Sequence, residues 1–138
     1  MPRREYTTKF AVERNHRMKP IIHEAFRLAL EAVRDHIGIE GINHDPKRIG
    51  YAWVEVPPCA FTRWCKSQWP EQDNVFPGFF GVEGAKGIGR SFIQPGNRTH
   101  VQLTLETELA GAAAFARAIY GLEGLVDLRV CGALGARP

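Results

Sequence analysis

The stretch "THVQLTLETELAGAAAFARAIYGLEGLVDLRV", residues 99–130, decides the fold that the sequence predicts. Its first part, "THVQLTLE", alternates apolar and polar residues and places Val101, Leu103 and Leu105 on one face, as in a half-buried strand. The alanine-rich segment "TELAGAAAFARAIYG" predicts a helix with Thr107 as its N-cap. "LVDLRV" (125–130) alternates again and predicts a second strand. Together the three parts predict a compact right-handed β-α-β unit.

A similar order of elements precedes this unit. Residues 20–37, "PIIHEAFRLALEAVRDHI", repeat apolar side chains every three or four positions and predict an amphipathic helix. Pro20 is placed in its first turn, where the missing N–H is not needed. "IGYAWVEV" (49–56) alternates and predicts a strand that two prolines end. "YTTKFAVE" (6–13) is rich in β-branched and aromatic residues and predicts a strand at the start of the chain.

The predicted fold class is therefore α+β, a ferredoxin-like β-α-β-β-α-β sandwich with a long insertion between its halves. The 138 residues fit one domain, 1–138. Residues 57–96 form the insertion, rich in aromatic residues, glycine and proline, and within it 79–94 predict a β-hairpin around Gly84–Gly89. No G-K-[ST] follows these glycines, so a phosphate-binding loop is not predicted.

The insertion holds seven of the 14 aromatic residues, and a long connection of this kind is usually functional. Interface centres are enriched in aromatic residues and arginine, which favours a surface for a partner chain. The alternative is that these side chains fold back as a small satellite core over the sheet. The residues concerned are Phe61, Trp64, Trp69, Phe76, Phe79 and Phe80.

Positive charge is concentrated in residues 1–19, which form a predicted basic N-terminal arm. Of the formal net charge of +3, this arm carries +4 and the remaining 119 residues carry −1. Such an arm binds nucleic acid or an acidic partner, or is simply solvated. Its basic residues are Arg3, Arg4, Lys9, Arg14, Arg17 and Lys19.

The odd number of cysteines, Cys59, Cys65 and Cys131, indicates free thiols. The start "MPRREYTTKF" has no apolar signal region, which predicts a reduced intracellular compartment. The cysteines lack the close pairs of structural zinc sites, so no metal or other cofactor is predicted. No apolar run has the length of about 20 residues that spans a membrane, so no membrane association is predicted.

Catalysis is an open alternative, because single residues of the right chemistry are present without a signature. His100 opposite Cys59 or Cys65 would form a nucleophilic pair. Glu55 and Glu106 would form a pair of carboxylates if they faced each other across adjacent strands.

These observations favour a non-catalytic structural or assembly subunit over an enzyme. Its partners would be further copies of the chain or other subunits, as in an oligomeric ring at a phage virion connector or tail end (tail terminator-like). Such a chain is expected in the cytoplasm or assembled into a virion. The alternatives are a nucleic-acid-binding module that uses the basic arm and the loop aromatics, and a small enzyme with an unidentified Cys, His or Glu site.

Overall fold

The computed structural model describes residues 9–41, 45–61, 63–64, 79–84, 91–95 and 103–135, with the backbone alone for 79–84 and 91–95. The elements in chain order are α1 (Lys9–Glu40), β1 (Gly50–Val56), β2 (Phe79–Gly84), β3 (Ser91–Pro95), α2 (Leu105–Ile119) and β4 (Arg129–Leu134). The strands form one sheet in the order β2-β3-β1-β4, and every neighbouring pair is antiparallel.

The predicted ferredoxin-like β-α-β-β-α-β sandwich is wrong. The described chain begins with a helix, because Lys9 already belongs to α1 where the strand 6–13 was predicted. Leu105 starts α2 inside the predicted strand 99–106, and β4 pairs with β1 antiparallel. The described order is therefore α-β-β-β-α-β. Residues 1–8 and 96–102 lie outside the described residues.

α1 begins well before Pro20, because the stripe of buried side chains on this helix also begins before Pro20. Met18 is fully buried on the same helical face as Ile22 and Ala25, so the apolar repeat continues on both sides of the proline. Pro20 thus lies inside the helix and not in its first turn. It removes the backbone bond to the carbonyl of His16, but both residues are solvent-exposed. The apolar repeat therefore outweighs the signal of the proline.

α2 begins at Leu105 because Thr104, not Thr107, is its N-cap. The Thr104 side-chain oxygen accepts a hydrogen bond from the Thr107 backbone N–H at 3.3 Å. The negative charges of Glu106 and Glu108 in the first turn interact favourably with the positive end of the helix dipole. What remains of the predicted strand in the described residues is a single antiparallel bridge between Thr104 and Ile49.

β4 lies further along the chain than the predicted strand 125–130. Leu125 is fully buried in the turn before β4, and the strand continues to Leu134. Gly132 allows this continuation, because a Cβ there would lie 2.6 Å from Leu105 Cδ1. The strand and α2 therefore approach each other closely at a position without a side chain.

The two helices pack antiparallel and cover one face of the sheet. Phe26 of α1 meets Phe115 of α2 edge to face, with ring centroids 6.2 Å apart. Nearer the α2 N-terminus, His36 Nδ1 lies 2.8 Å from Thr107 Oγ1. The core that they enclose with β1 consists of Met18, Ile22, Ala25, Ala29, Ala52, Val54, Val56, Phe61, Trp64, Ala112, Phe115, Ala116, Ile119 and Leu125.

Three local predictions are confirmed. The helix at 20–37 lies within α1, and the strand at 49–56 corresponds to β1. The hairpin at 79–94 corresponds to β2 and β3, which pair antiparallel. In the part of the chain that the structure describes, no helix is both long and apolar enough to cross a membrane.

Candidate assembly interface

β4 is the outermost strand on one side of the sheet. Six consecutive residues of β4 pair with β1 without a break in register. On its other side, no strand among the described residues pairs with it. An open strand edge carries backbone donors and acceptors that a second chain can use.

The backbone groups that point outward from β4 follow from its hydrogen bonds to β1. Gly135 N–H donates to the Ile49 carbonyl at 2.8 Å, so Gly135 points toward β1. Backbone direction alternates along a strand. The N–H and C=O groups of Val130, Gly132 and Leu134 therefore point away from β1, and we call these three residues the β4 edge.

Two side chains of the β4 edge are apolar and exposed. Val130 and Leu134 lie opposite Val54 and Gly50, on the helix-covered face of the sheet. They are nonetheless 40% and 63% exposed. The segment from α2 to β4 adds two more exposed apolar side chains, Tyr120 and Val126. The β4 edge and the segment that precedes it therefore present apolar surface to solvent.

The β4 edge also lacks the devices that usually protect strand edges. Lysine, proline and bulges discourage pairing with other chains. β4 contains neither lysine nor proline, and Arg129 is its one charged residue. The strand at the other side of the sheet differs, since β2 shifts register against β3 between Phe79 and Val82. A regular, unprotected edge is the better template for strand pairing.

Of the six predicted aromatic interface residues, two lie in the core. Phe61 and Trp64 are buried, because a helical turn marked by the bond from Arg63 N–H to the Cys59 carbonyl brings both to one face. Trp64 Nε1 donates to Asn15 Oδ1 of α1 at 2.8 Å. Both side chains pack on the chain's own core, as in the alternative of a satellite core.

The other four predicted aromatic residues stay predictions. Trp69 and Phe76 lie outside the described residues. Phe79 and Phe80 belong to β2, of which the structure describes the backbone.

The described part of the predicted basic arm belongs to α1, and two of its arginines bind within the chain. Arg17 Nη2 lies 2.5 Å from Glu123 Oε1, and Arg14 Nε lies 3.4 Å from the same oxygen. Arg14 Nη2 also donates to the Ala60 carbonyl at 3.0 Å. These contacts fasten the start of α1 to the turn after α2. Both arginines therefore make contacts within the chain that stabilise the fold.

The remaining predicted basic residues are placed differently. Lys9 lies 4.0 Å from Glu13 on the surface of α1. Lys19 lines an open groove of about 590 Å³ along α1, together with Val12, Asn15, His16, Pro20 and His23. Arg3 and Arg4 lie outside the described residues. Contact of these residues with nucleic acid or an acidic partner stays a prediction.

We expect Glu123→Gln to lower the free energy of unfolding by about 1–2 kcal/mol, because it weakens the charge-assisted contacts to Arg14, which is partly buried, and to Arg17, which is exposed. Glu13→Gln is the control, since its pair with Lys9 is exposed and its loss should cost less than about 0.5 kcal/mol. Urea unfolding monitored by tryptophan fluorescence measures both. Equal effects of the two substitutions would contradict a stabilising role for the Glu123 contacts.

The carboxylate pair predicted for catalysis does not form. Glu55 lies on β1, where its Oε2 is 3.0 Å from Cys131 Sγ of β4. Glu106 lies on α2, 3.7 Å from Arg48 Nη2, so the two carboxylates do not face each other across adjacent strands.

His100 and Cys65, predicted for a nucleophilic pair, lie outside the described residues. Within the ranges given above, no three His, Cys, Asp or Glu side chains cluster as a metal site would require.

The residues that sequence reasoning missed are Val130 and Leu134. The signal was present, since Leu128, Val130 and Leu134 continue a period of two in "LRVCGALG". Gly132 interrupts the apolar pattern between Val130 and Leu134. Ending the predicted strand at residue 130 therefore hid the edge.

Comparison of the chain with protein-family models gives no match. Comparisons with curated proteins and with solved structures also give none.

Proposed function

We propose that the protein is a non-catalytic structural subunit that assembles with further copies of itself through the β4 edge. The observation that supports this proposal is the regular, outermost β4, with Val130 and Leu134 exposed beside unpaired outward backbone groups among the described residues. Pairing with a second chain would bury the apolar side chains and use the backbone groups at the same time. A virion ring, the larger assembly expected from the sequence, would need a second, heterologous contact, because a two-fold pair through one edge closes at two chains.

Covering the β4 edge gains free energy from two sources. Full burial of a valine or leucine side chain is worth about 1.5–3 kcal/mol, and Val130 and Leu134 each have part of that still to gain. Each backbone hydrogen bond that replaces one to water adds about 0.5–1.5 kcal/mol. Two copies contribute these terms together, which opposes the entropy lost on association.

Light scattering after size-exclusion chromatography tests the proposal. We expect the wild-type chain to elute at a multiple of 15.5 kDa. The double substitution Val130→Lys and Leu134→Lys should reduce the mass to one chain, because buried lysines at the contact would cost desolvation. The matched control is Val12→Lys with Leu30→Lys, which places the same changes at exposed positions on α1 and should leave the mass unchanged.

A wild-type chain that stays monomeric up to its solubility limit would overturn the proposal. So would a mass that falls equally with the control variant. Measuring the same samples with a single-stranded oligonucleotide at low salt addresses the alternative function. A monomeric wild type that gains the mass of the oligonucleotide would favour nucleic-acid binding instead.

A further inference from the structure

We infer that two copies pair antiparallel through their β4 edges about a two-fold axis at Gly132, with Val130 of each copy opposite Leu134 of the other. This inference rests on the proposed function, since it specifies the geometry of the contact between copies. The partner of the edge is a second copy of the same strand. The result would be a continuous sheet that runs through both chains.

The spacing of the outward backbone groups selects this register. Val130, Gly132 and Leu134 are evenly spaced, and Gly132 is the middle one. In an antiparallel pair, opposite residues exchange both hydrogen bonds when both point toward the partner. A two-fold axis at Gly132 places all three outward residues of one copy opposite outward residues of the other. Every donor and acceptor of both edges is then used.

The side chains fit the same register. Residues opposite each other in a sheet project to the same face. Val130 and Leu134 both belong to the face that α2 covers, so each meets an apolar neighbour from the second copy beside α2. The axis itself passes Gly132, beside which Leu105 of α2 occupies the space that a side chain would need. The exposed rim of each copy is thereby covered by the rim of the other.

The charge on the strand is also compatible with a two-fold pair. Arg129 is the one charged residue of β4 and lies three residues from the axis. The two copies of Arg129 would stand six residues apart, about 20 Å at the rise of an antiparallel strand. This distance exceeds the Debye length of about 8 Å at physiological salt, so the two charges would hardly repel.

Neighbouring registers use the edge less completely. An axis at Cys131 would pair Val130 with Gly132 and leave Leu134 beyond the last pair. An axis at Ala133 would pair Gly132 with Leu134 and leave Val130 without a partner strand. Both keep the faces aligned, but each leaves an apolar side chain and its backbone groups exposed.

Disulfide cross-linking distinguishes these registers. In a background with Cys59→Ala, Cys65→Ala and Cys131→Ala, one variant carries Val130→Cys and another carries Leu134→Cys. Opposite residues in a hydrogen-bonded pair have Cα atoms about 5.5 Å apart. This lies within the range of about 4.4–6.8 Å that a disulfide spans. The probe is mild oxidation, followed by non-reducing electrophoresis.

We expect neither single variant to cross-link alone, and an equal mixture to cross-link up to about half of the chains, as random two-fold pairing allows. A chain with both new cysteines should cross-link almost completely. The Val130→Lys, Leu134→Lys variant should not dimerise in the same buffer. A background that keeps Cys131 as its one cysteine should stay uncross-linked.

Efficient cross-linking through Cys131 alone, or of either single variant with itself, would overturn the register. A mass of two or more chains by light scattering without cross-linking in the mixture would overturn the pairing of Val130 with Leu134 and leave self-assembly standing. A wild-type monomer would overturn both the inference and the proposed function. The three failures are therefore distinguishable.

Discussion

Phe115→Ala lowers the free energy of unfolding by about 3–5 kcal/mol, which is the expected range for deleting a buried aromatic ring. Phe115 is fully buried between α1 and the sheet, and its ring meets Phe26 edge to face. The substitution removes apolar burial and leaves a cavity that two packed helices cannot easily close. Since small domains are stable by about 5–15 kcal/mol, this one residue accounts for a large share.

The same substitution at Phe10 is the control. Phe10 lies near the start of α1 and is 73% exposed, so Phe10→Ala should change stability by less than about 0.5 kcal/mol. Chemical denaturation of both variants measures the difference. A small effect at Phe115 would contradict the packing of α1 against α2, and a large effect at Phe10 would show that this end of α1 is covered.

Gly50→Ala is the second substitution for which we expect a large loss of stability, about 3 kcal/mol. A Cβ at Gly50 would lie 2.6 Å from the Ala133 carbonyl oxygen and 2.8 Å from Leu105 Cβ. Both atoms belong to rigid parts of the chain, the β4 backbone and the first turn of α2. Relief therefore requires that β1, β4 or α2 move, which disturbs the whole layer.

Gly38→Ala is the matched control, and its expected effect has the opposite sign. Gly38 lies in the last turn of α1, and no atom lies within 4 Å of the Cβ position. Alanine there should stabilise the protein by about 0.5–1 kcal/mol through lower backbone entropy of the unfolded chain. Thermal unfolding of both variants checks the pair. A gain in stability at Gly50 would contradict the close contact of α2 with the sheet.

Sequence reasoning found the elements whose apolar repeat is long or regular. The stripe in 20–37 and the alternation in 49–56 are dictated by one buried face each, so they could be predicted without the rest of the chain. It failed at the boundaries. Pro20 argued for a helix start, but Met18 is buried with Ile22 and extends α1 before it.

The topology failed for a different physical reason. The alternation of Val101, Leu103 and Leu105 suits a strand, yet Thr104 caps a helix whose packing against β1 and β4 outweighs the local preference. α2 starts at Leu105, two residues earlier than predicted. This earlier start removes the predicted strand from the described residues and with it the parallel β-α-β unit. Local propensity alone does not determine which strand pairs with which.

The candidate interface was only partly predictable. Self-assembly was expected from the aromatic insertion, but Phe61 and Trp64 are buried within one chain. An aromatic side chain has the same sequence signature whether it packs on its own core or on a partner. The β4 edge depends on strand order, which places Val130 and Leu134 at the rim, and strand order is not encoded in any single segment.

The contacts that hold α1 have a consequence for synthesis of the chain on the ribosome. Arg17 reaches Glu123 across 106 positions, and His36 reaches Thr107 across 71. At about 5–20 residues per second, roughly 5–20 s separate the translation of Arg17 from that of Glu123. During that interval the apolar stripe of α1 has been made and its covering helix has not. The apolar stripe of α1 therefore stays uncovered until α2 has been synthesised.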